Sequence, residues 1–158
     1  MTSAAPFVSV IVPCREEARH LDACLESIAA TEYPRDRLEV LIVVGDSKDG
    51  THKIAEACAS GGRIPMYVLP NPAGTAAAGM NIGLMHARGE VIARMDAHAT
   101  YPREYLPRLI GALQTSGADN VGGVLETWPE SDRPIPRAIA AACSHPLGVG
   151  NSRFRIGT

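Results

Sequence analysis

The sequence lacks a long apolar run. Its longest uninterrupted ones, residues 10–14 and 138–143, are far shorter than the roughly 20 residues that a membrane-spanning helix needs. The first six residues contain no basic region and no apolar core, so they do not resemble a secretion signal. We therefore expect no membrane span in this segment and a cytoplasmic location.

The sequence also lacks an excess of charge of either sign. It has 15 Lys and Arg against 17 Asp and Glu, a net charge of -2. Proteins that bind nucleic acid by neutralising its phosphates carry a basic surface, so we expect no nucleic-acid partner. With 158 residues, 46% of them hydrophobic, and no internal repeat, low-complexity tract or linker, the chain is predicted to form one domain over residues 1–158.

Paired cysteines are absent as well. The four cysteines, at 14, 24, 58 and 143, form no Cys-x-x-Cys pair and have no nearby His at zinc-finger spacing, so buried free thiols are expected. Cys14 follows Pro13 at the end of the first predicted strand. With no His adjacent in sequence to activate its thiol, the position favours packing or ligand contact over nucleophilic chemistry.

Three common catalytic signatures are missing. There is no Gly-x-x-x-x-Gly-Lys-Ser/Thr loop and no Gly-x-Gly-x-x-Gly after the first strand, which argues against a P-loop enzyme or a dinucleotide-dependent dehydrogenase. No Gly-x-Ser-x-Gly elbow is present, so an α/β-hydrolase lacks its nucleophile. A nucleotidyltransferase remains an alternative, but it normally needs a glycine-rich basic loop after the first strand, which residues 13–17 do not resemble.

Apolar β-branched runs alternate with segments of helical periodicity along the chain. The runs predict strands at 7–12, 38–44, 66–69, 90–95 and 120–126, and the periodic segments predict helices at 17–30, 51–60, 75–88, 101–117 and 137–144. This order is typical of an α/β fold with a mostly parallel sheet that is covered on both faces.

Polar residues collect where the predicted strands end, the edge at which open parallel sheets bind ligands. Glu17 follows the first strand, Asp46 and Asp49 follow the second, and Asp96-Ala-His98 follows the strand at 90–95. Glu17 could instead only cap the next helix, and Asp49 could only bond the backbone of its own turn.

The segment 94–98, Arg-Met-Asp-Ala-His, carries the most information. Residues two apart on an extended chain point the same way, so Arg94, Asp96 and His98 are predicted to share one side of the strand end. A carboxylate and an imidazole so placed can hold a divalent cation that bridges a diphosphate. We therefore predict Asp96 and His98 as metal ligands.

The motifs, taken in order, resemble those of the family 2 inverting glycosyltransferases, which have the GT-A fold. The similar segments are Phe7–Pro13 with Glu17, Ser47–Thr51, Gly79–Gly83, Ala87–Glu90 and Asp96-Ala-His98, the last in place of the family's Asp-x-Asp. Residues 94–98, 117–123 and 146–150 are most similar to the subgroup of bacterial succinoglycan-biosynthesis glucosyltransferases.

The resemblance implies a Rossmann-like three-layer sandwich and a metal-dependent, inverting transfer of sugar. The donor would be a nucleotide-diphospho-sugar such as UDP-glucose, and the acceptor would be lipid-linked or a saccharide. The cation would be Mn²⁺ or Mg²⁺. The reaction would serve exopolysaccharide synthesis at the inner face of the plasma membrane. The implied donor-binding residues are Pro13, Cys14, Glu17, Asp46, Asn81, Arg94 and Asp96, and the implied metal ligands are Asp96 and His98.

The chain departs from the family pattern in three places. Glu16 stands where the family usually has Asn. The family also has a pair of acidic residues after the second strand, and here only Asp46 corresponds to one of them, when the alignment is shifted slightly. We expect the catalytic base, an Asp further along the chain, beyond Thr158, so the acceptor half of the fold is expected to be missing. A non-catalytic nucleotide-sugar-binding module is the alternative, and apolar surface near the tail at 148–157 predicts self-association.

Overall fold

The computed structural model describes residues 5–150, 152, 155 and 156. Predictions on residues 1–4, and on 151, 153, 154 and 157 of the tail, lie outside this part. Contacts between Cα atoms divide the chain into two compact units, residues 1–107 and 108–158. The single domain over 1–158 stays a prediction.

The first unit contains a sheet of four parallel strands in the order β3-β2-β1-β4. Its strands and helices, in chain order, are β1 Val8–Cys14, α1 Leu21–Ala29, β2 Leu38–Gly45, α2 Thr51–Ser60, β3 Met66–Asn71, α3 Ala76–His86 and β4 Val91–Arg94, with a 3-10 turn at Arg35–Arg37. The next helix, α4 Tyr105–Ser116, begins in the first unit and ends in the second. The predicted α/β fold with a parallel sheet is confirmed.

Helices cover both faces of this sheet. Ile11, Leu41 and Val43 form a buried cluster with Met80 and Ile82 of α3 on one face. The residues that alternate with them along β1 and β2 point to the opposite face, because successive strand side chains alternate. There α2 packs against β2 and β3, and the buried side chains of α1 are Leu21, Cys24, Leu25 and Ile28.

Two glycines of α3 allow the helix to lie close to β1. A Cβ atom at Gly83 would come within 2.4 Å of Ile11 Cγ2, and one at Gly79 within 3.0 Å of Pro13 Cβ. Thr75 caps the helix by accepting a hydrogen bond from Ala78 N, as predicted. The helix ends at His86 rather than Arg88 because Arg88 N donates to the buried carboxylate of Glu39.

The first residues of α1 and α4 also differ from the prediction. α1 begins at Leu21 instead of Glu17, since Glu16 has a left-handed backbone (φ 56°) and residues 18–20 form a turn. α4 begins at Tyr105 rather than Tyr101, because Tyr101 belongs to the loop after β4, although the helix ends at Gly117 (φ 65°) as expected.

The second unit contains α5, Pro134–Cys143, and α6, Pro146–Val149. The strand predicted at 120–126 is wrong, because this segment belongs to no sheet within the described residues. A strand is stable only when its backbone groups pair with a neighbour, and the adjacent Gly122 and Gly123 weaken the extended form. No described helix is long and apolar enough to cross a membrane.

Candidate functional site

The carboxyl ends of the parallel strands border an open cleft in the first unit. The cleft has a volume of about 650 Å³ and is lined by residues 16–20, Asp49 and His98. The lining therefore comes from the loops that follow β1, β2 and β4. Two of the predicted site residues, Glu17 and His98, lie in this cleft, as the position of the strand ends predicted.

Buried and accessible residues alternate through the end of β4. Met95 and Ala97 are buried, at 2% and 1% exposed, while the side chains of Asp96 and His98 are 44% and 64% exposed. Regular strand structure nevertheless ends at Arg94, and residues 97–98 form a turn in which Ala99 N donates to Asp96 O over 3.1 Å. The strand is thus shorter than predicted.

Each of the two predicted metal ligands contacts one charged neighbour. Arg94 Nε donates to Asp96 Oδ1 over 2.9 Å, and His98 Nδ1 lies 3.1 Å from Glu17 Oε1. When His98 carries its proton on Nδ1, that proton is donated to Glu17 and the lone pair of Nε2 is available. A metal-binding His is usually held in its tautomer by such a contact.

These residues fit a hard or borderline divalent cation. Carboxylate oxygen and imidazole nitrogen suit Mn²⁺, and a cation that acts on phosphates is generally held by one or two protein carboxylates, the phosphates and water. The part of the chain that the structure describes contains no cluster of three or more His, Cys, Asp or Glu side chains that could hold a metal. Asp96 and His98 could supply two of the ligands of a cation whose other ligands come from a diphosphate and water.

The carboxylate of Glu17 contacts His98 instead of capping α1. Its backbone N donates to Thr51 Oγ1 over 2.9 Å, which ties the loop after β1 to the start of α2. The N-cap position of α1 is occupied by His20.

Asp49 has a structural role in the turn after β2. Its Oδ1 accepts from Thr51 N and Thr51 Oγ1, at 3.0 and 2.6 Å, and its Oδ2 accepts from Ala18 N at 2.9 Å. The Thr51 hydroxyl, followed by the backbone bond from Ala18, holds the pKa of Asp49 below its usual value. Asp46 is exposed and, within the described residues, has no hydrogen bond or ion pair of its own. Asp46 is therefore the carboxylate of this turn with capacity for a ligand.

Apart from Glu17, the predicted donor-binding residues are not among those that line the cleft. Cys14 is buried, and this burial, with Glu17 and Asp49 nearby, raises the pKa of its thiol to about 12, so it is not a nucleophilic thiolate at neutral pH. Pro13 packs toward Gly79 of α3. Asn81 is exposed on α3, two residues from both Gly79 and Gly83, and so lies on the helix face away from β1.

Two residues at this edge were missed by the sequence analysis. The hydroxyl of Tyr101 bonds both backbone groups of Asp96, whereas the sequence suggested only a helix start there. The side chain of Arg15 lies against Gly45, at the end of β2, and against Gly74, in the loop after β3. A Cβ atom at Gly45 would be 3.2–3.3 Å from carbon atoms of the Arg15 side chain, and one at Gly74 would be 3.3 Å from Arg15 Nη1. Neither contact has a local sequence signal.

The parallel sheet with its strand-end cleft is the GT-A fold of glycosyltransferases. A solved mannosyltransferase from Pyrobaculum calidifontis, in complex with GDP-Man and Mn²⁺, matches with a TM-score of 0.65 and 30% identity over 87% of this chain and 39% of its own. The model of glycosyl transferase family 2 matches residues 9–156, and the chain belongs to this family.

Two curated relatives are similar over most of this chain. Glycosyltransferase AglE of Haloferax volcanii is 34% identical over 87% of the chain, and succinoglycan biosynthesis protein ExoA of Rhizobium meliloti is 33% identical over 94%. The matched regions make up 45% and 44% of these relatives. The chain thus spans less than half of their length.

Proposed function

We propose that this chain is the donor-binding part of a glycosyltransferase that uses a nucleotide-diphospho-sugar and a divalent cation. The observation that carries the proposal is that the Asp96-Arg94 and His98-Glu17 pairs both lie where the parallel strands end, and that Glu17 and His98 line an open cleft there. Family membership supports the same reading.

In this proposal each charged residue has a separate role. Asp96 and His98 would hold Mn²⁺ or Mg²⁺, which when bound would neutralise the charge of the departing diphosphate. Glu17 orients the His98 ring, and Arg94 lies beside Asp96 as a second positive group for a phosphate oxygen. Asp46 would contact the base or ribose of the nucleotide.

The finer substrate assignment rests on the resemblance to the succinoglycan subgroup. We propose a UDP-sugar such as UDP-glucose as donor and a lipid-linked or saccharide acceptor, used with inversion in exopolysaccharide or cell-envelope glycan synthesis at the cytoplasmic face of the membrane. Release of UDP from UDP-glucose only when an acceptor is added would separate a transferase from a module that only binds the donor. Self-association stays a prediction, tested by sedimentation.

Thermal unfolding tests the donor site itself. UDP with Mn²⁺ should raise the melting temperature, because a ligand present at about 100 times its Kd stabilises the native state by about 2.7 kcal/mol. UDP with a chelator, and Mn²⁺ alone, should have clearly smaller effects. GDP with Mn²⁺ tests whether the base is read. If no nucleoside diphosphate raises the melting temperature in the presence of metal, the proposed donor site is wrong.

A further inference from the structure

Asp96 is the second residue after the end of β4. β4 pairs with β1 as far as Arg94 opposite Ile11, and the bond from Met95 N to Ile11 O is the last of this ladder. Alternate N–H groups of a strand face the same neighbour, and the N–H of Met95 faces β1, so the N–H of Asp96 points away from β1. It needs an acceptor from elsewhere, because leaving a part-buried N–H unpaired is costly. The position of the Asp96 carboxylate depends on where that acceptor lies.

The hydroxyl of Tyr101 is this acceptor. Asp96 N donates to Tyr101 Oη over 2.7 Å, and the same hydroxyl donates to Asp96 O over 3.2 Å. Cys24 Sγ of α1 also lies 3.5 Å from Asp96 O. One side chain thus bonds both backbone groups of the residue proposed as a metal ligand.

Tyr101 is itself held in place from α1 and α4. Its backbone N donates to Ser27 Oγ over 3.1 Å, and its ring packs against that of Tyr105 with centroids 5.2 Å apart. Two residues further on, Arg103 O accepts from Glu32 N at 2.9 Å. The loop that follows β4 is therefore fixed to the C-terminal end of α1 before it enters α4.

We infer that Tyr101 is a positioning residue that sets the Asp96 carboxylate for the cation and the donor diphosphate. The inference rests on the proposed function, since it assigns Tyr101 a part in that same site. A hydroxyl that fixes the main chain of a ligand acts as an outer-shell group, and loss of such a group typically lowers metal affinity 10- to 100-fold.

The chain offers a matched control in Tyr33. Its hydroxyl also donates to a backbone carbonyl, Pro6 O, over 2.7 Å, near the opposite edge of the sheet where β1 begins. Tyr101→Phe and Tyr33→Phe each remove one part-buried hydroxyl that bonds the backbone. A general loss of stability should therefore affect both variants, whereas loss of Asp96 positioning should affect only Tyr101→Phe.

Calorimetric titration of UDP in the presence of Mn²⁺, well below the melting temperature, gives the first readout. We expect the Kd to rise about tenfold in Tyr101→Phe and to stay within about twofold of wild type in Tyr33→Phe. Ser27→Ala, which removes the acceptor of Tyr101 N, should give a smaller rise and replaces Tyr101→Phe if that variant does not fold. Equal affinity of wild type and Tyr101→Phe, or equal losses in both Tyr variants, would overturn the inference.

Amide hydrogen exchange without any ligand gives a second readout that does not depend on the donor. Exchange over residues 95–99 should become at least about tenfold faster in Tyr101→Phe and remain unchanged in Tyr33→Phe. If wild type binds no nucleoside diphosphate, the proposed function fails, while exchange still decides whether Tyr101 holds Asp96. Unchanged exchange in Tyr101→Phe would show that it does not.

Discussion

The two edges of the parallel sheet each carry an Arg-carboxylate pair, but the two pairs differ in burial. At the edge where the strands begin, Glu39 is 1% exposed and accepts from Ser9 Oγ at 2.6 Å, from Arg88 N at 2.9 Å and from Arg88 Nε at 2.8 Å. At the edge where the strands end, Asp96 is 44% exposed and contacts Arg94.

This difference fits a structural role for the pair at the first edge and the proposed binding role for the pair at the second. The oxygens of Glu39 are used by donors of the protein, so a ligand has no place there. Asp96 and His98 each have one charged protein partner and open surface, which leaves capacity for a cation and a phosphate. Changes at the first edge should therefore alter folding, and changes at the second should alter binding.

The largest effect is expected from removing the buried carboxylate. Glu39→Ala leaves Ser9 Oγ without its acceptor, leaves the backbone N of Arg88 with only its longer bond to Ser9 Oγ at 3.2 Å, and opens a cavity. We therefore expect a loss of about 3 kcal/mol in the free energy of unfolding. Because the Arg88 side chain is 61% exposed, the remaining guanidinium is hydrated and adds little to this cost. Urea denaturation measures the change. A loss of less than about 1 kcal/mol would contradict a structural role for Glu39.

The second-largest effect is expected from a change at Asp96, which should alter binding and leave stability nearly unchanged. Asp96→Asn should raise the Kd for UDP with Mn²⁺ about 100-fold, equivalent to about 2.7 kcal/mol, because the amide is a poor ligand for the cation. The free energy of unfolding should change by less than about 0.5 kcal/mol, as is usual for an accessible side chain. Calorimetry and urea denaturation of the same preparation test both parts. Retained affinity would remove Asp96 from the site.

A smaller effect on the free energy of unfolding is expected when the pH is lowered. Burial by itself raises the pKa of Glu39, but the hydrogen bonds from Ser9 and Arg88 outweigh it and hold the pKa below its ordinary value of 4.5. A carboxyl with a lowered native pKa contributes stability that is present above pH 4.5 and is lost as the pH falls through the native pKa. The stability difference between wild type and Glu39→Gln should therefore be largest near neutral pH and shrink below pH 4.5. A difference that is independent of pH would show that this carboxyl titrates normally.

The smallest effect concerns the backbone at Glu16, in the loop that follows β1 at the edge where the strands end. Glu16 has φ 56°, a left-handed conformation that Asn adopts more readily than Glu. Glu16→Asn should raise the free energy of unfolding by about 0.5 kcal/mol, although it gives up the 2.9 Å bond from Lys48 N to Glu16 Oε1. The same substitution at Glu56, in α2, should be slightly destabilising. Destabilisation by Glu16→Asn would mean that the Lys48 contact outweighs the strain.

The sheet and the placement of polar residues at the carboxyl ends of its strands were predictable because their signals are local. Runs of Val, Ile and Leu in β1 and β2 indicate strands buried on both faces, and every residue of β2 is indeed buried. Thr75 and Gly117 mark a helix start and a helix end through their own backbone chemistry. The order of strand, polar turn and helix then places Glu17 and His98 at one cleft.

The contacts that connect distant segments could not be predicted from the sequence. The bond between Glu39 and Arg88 joins residues 49 apart, and His98 and Glu17 are 81 apart. The sequence predicts a helix start at Tyr101, because a Tyr-Pro pair gives no sign that the hydroxyl turns back to Asp96. The strand predicted at 120–126 is wrong for the same reason, since a strand requires a partner that local periodicity does not reveal.

Electron paramagnetic resonance of Mn²⁺ tests the central claim most directly, namely that the ligand edge binds a cation together with a nucleoside diphosphate. The signal of free Mn²⁺ should fall when wild-type protein and UDP are both present, and ¹⁷O in the diphosphate should broaden the bound signal. Asp96→Asn should lose this binding and Glu39→Gln should keep it. Free Mn²⁺ that is unchanged by wild type and UDP, or equal binding by Asp96→Asn, would contradict the account.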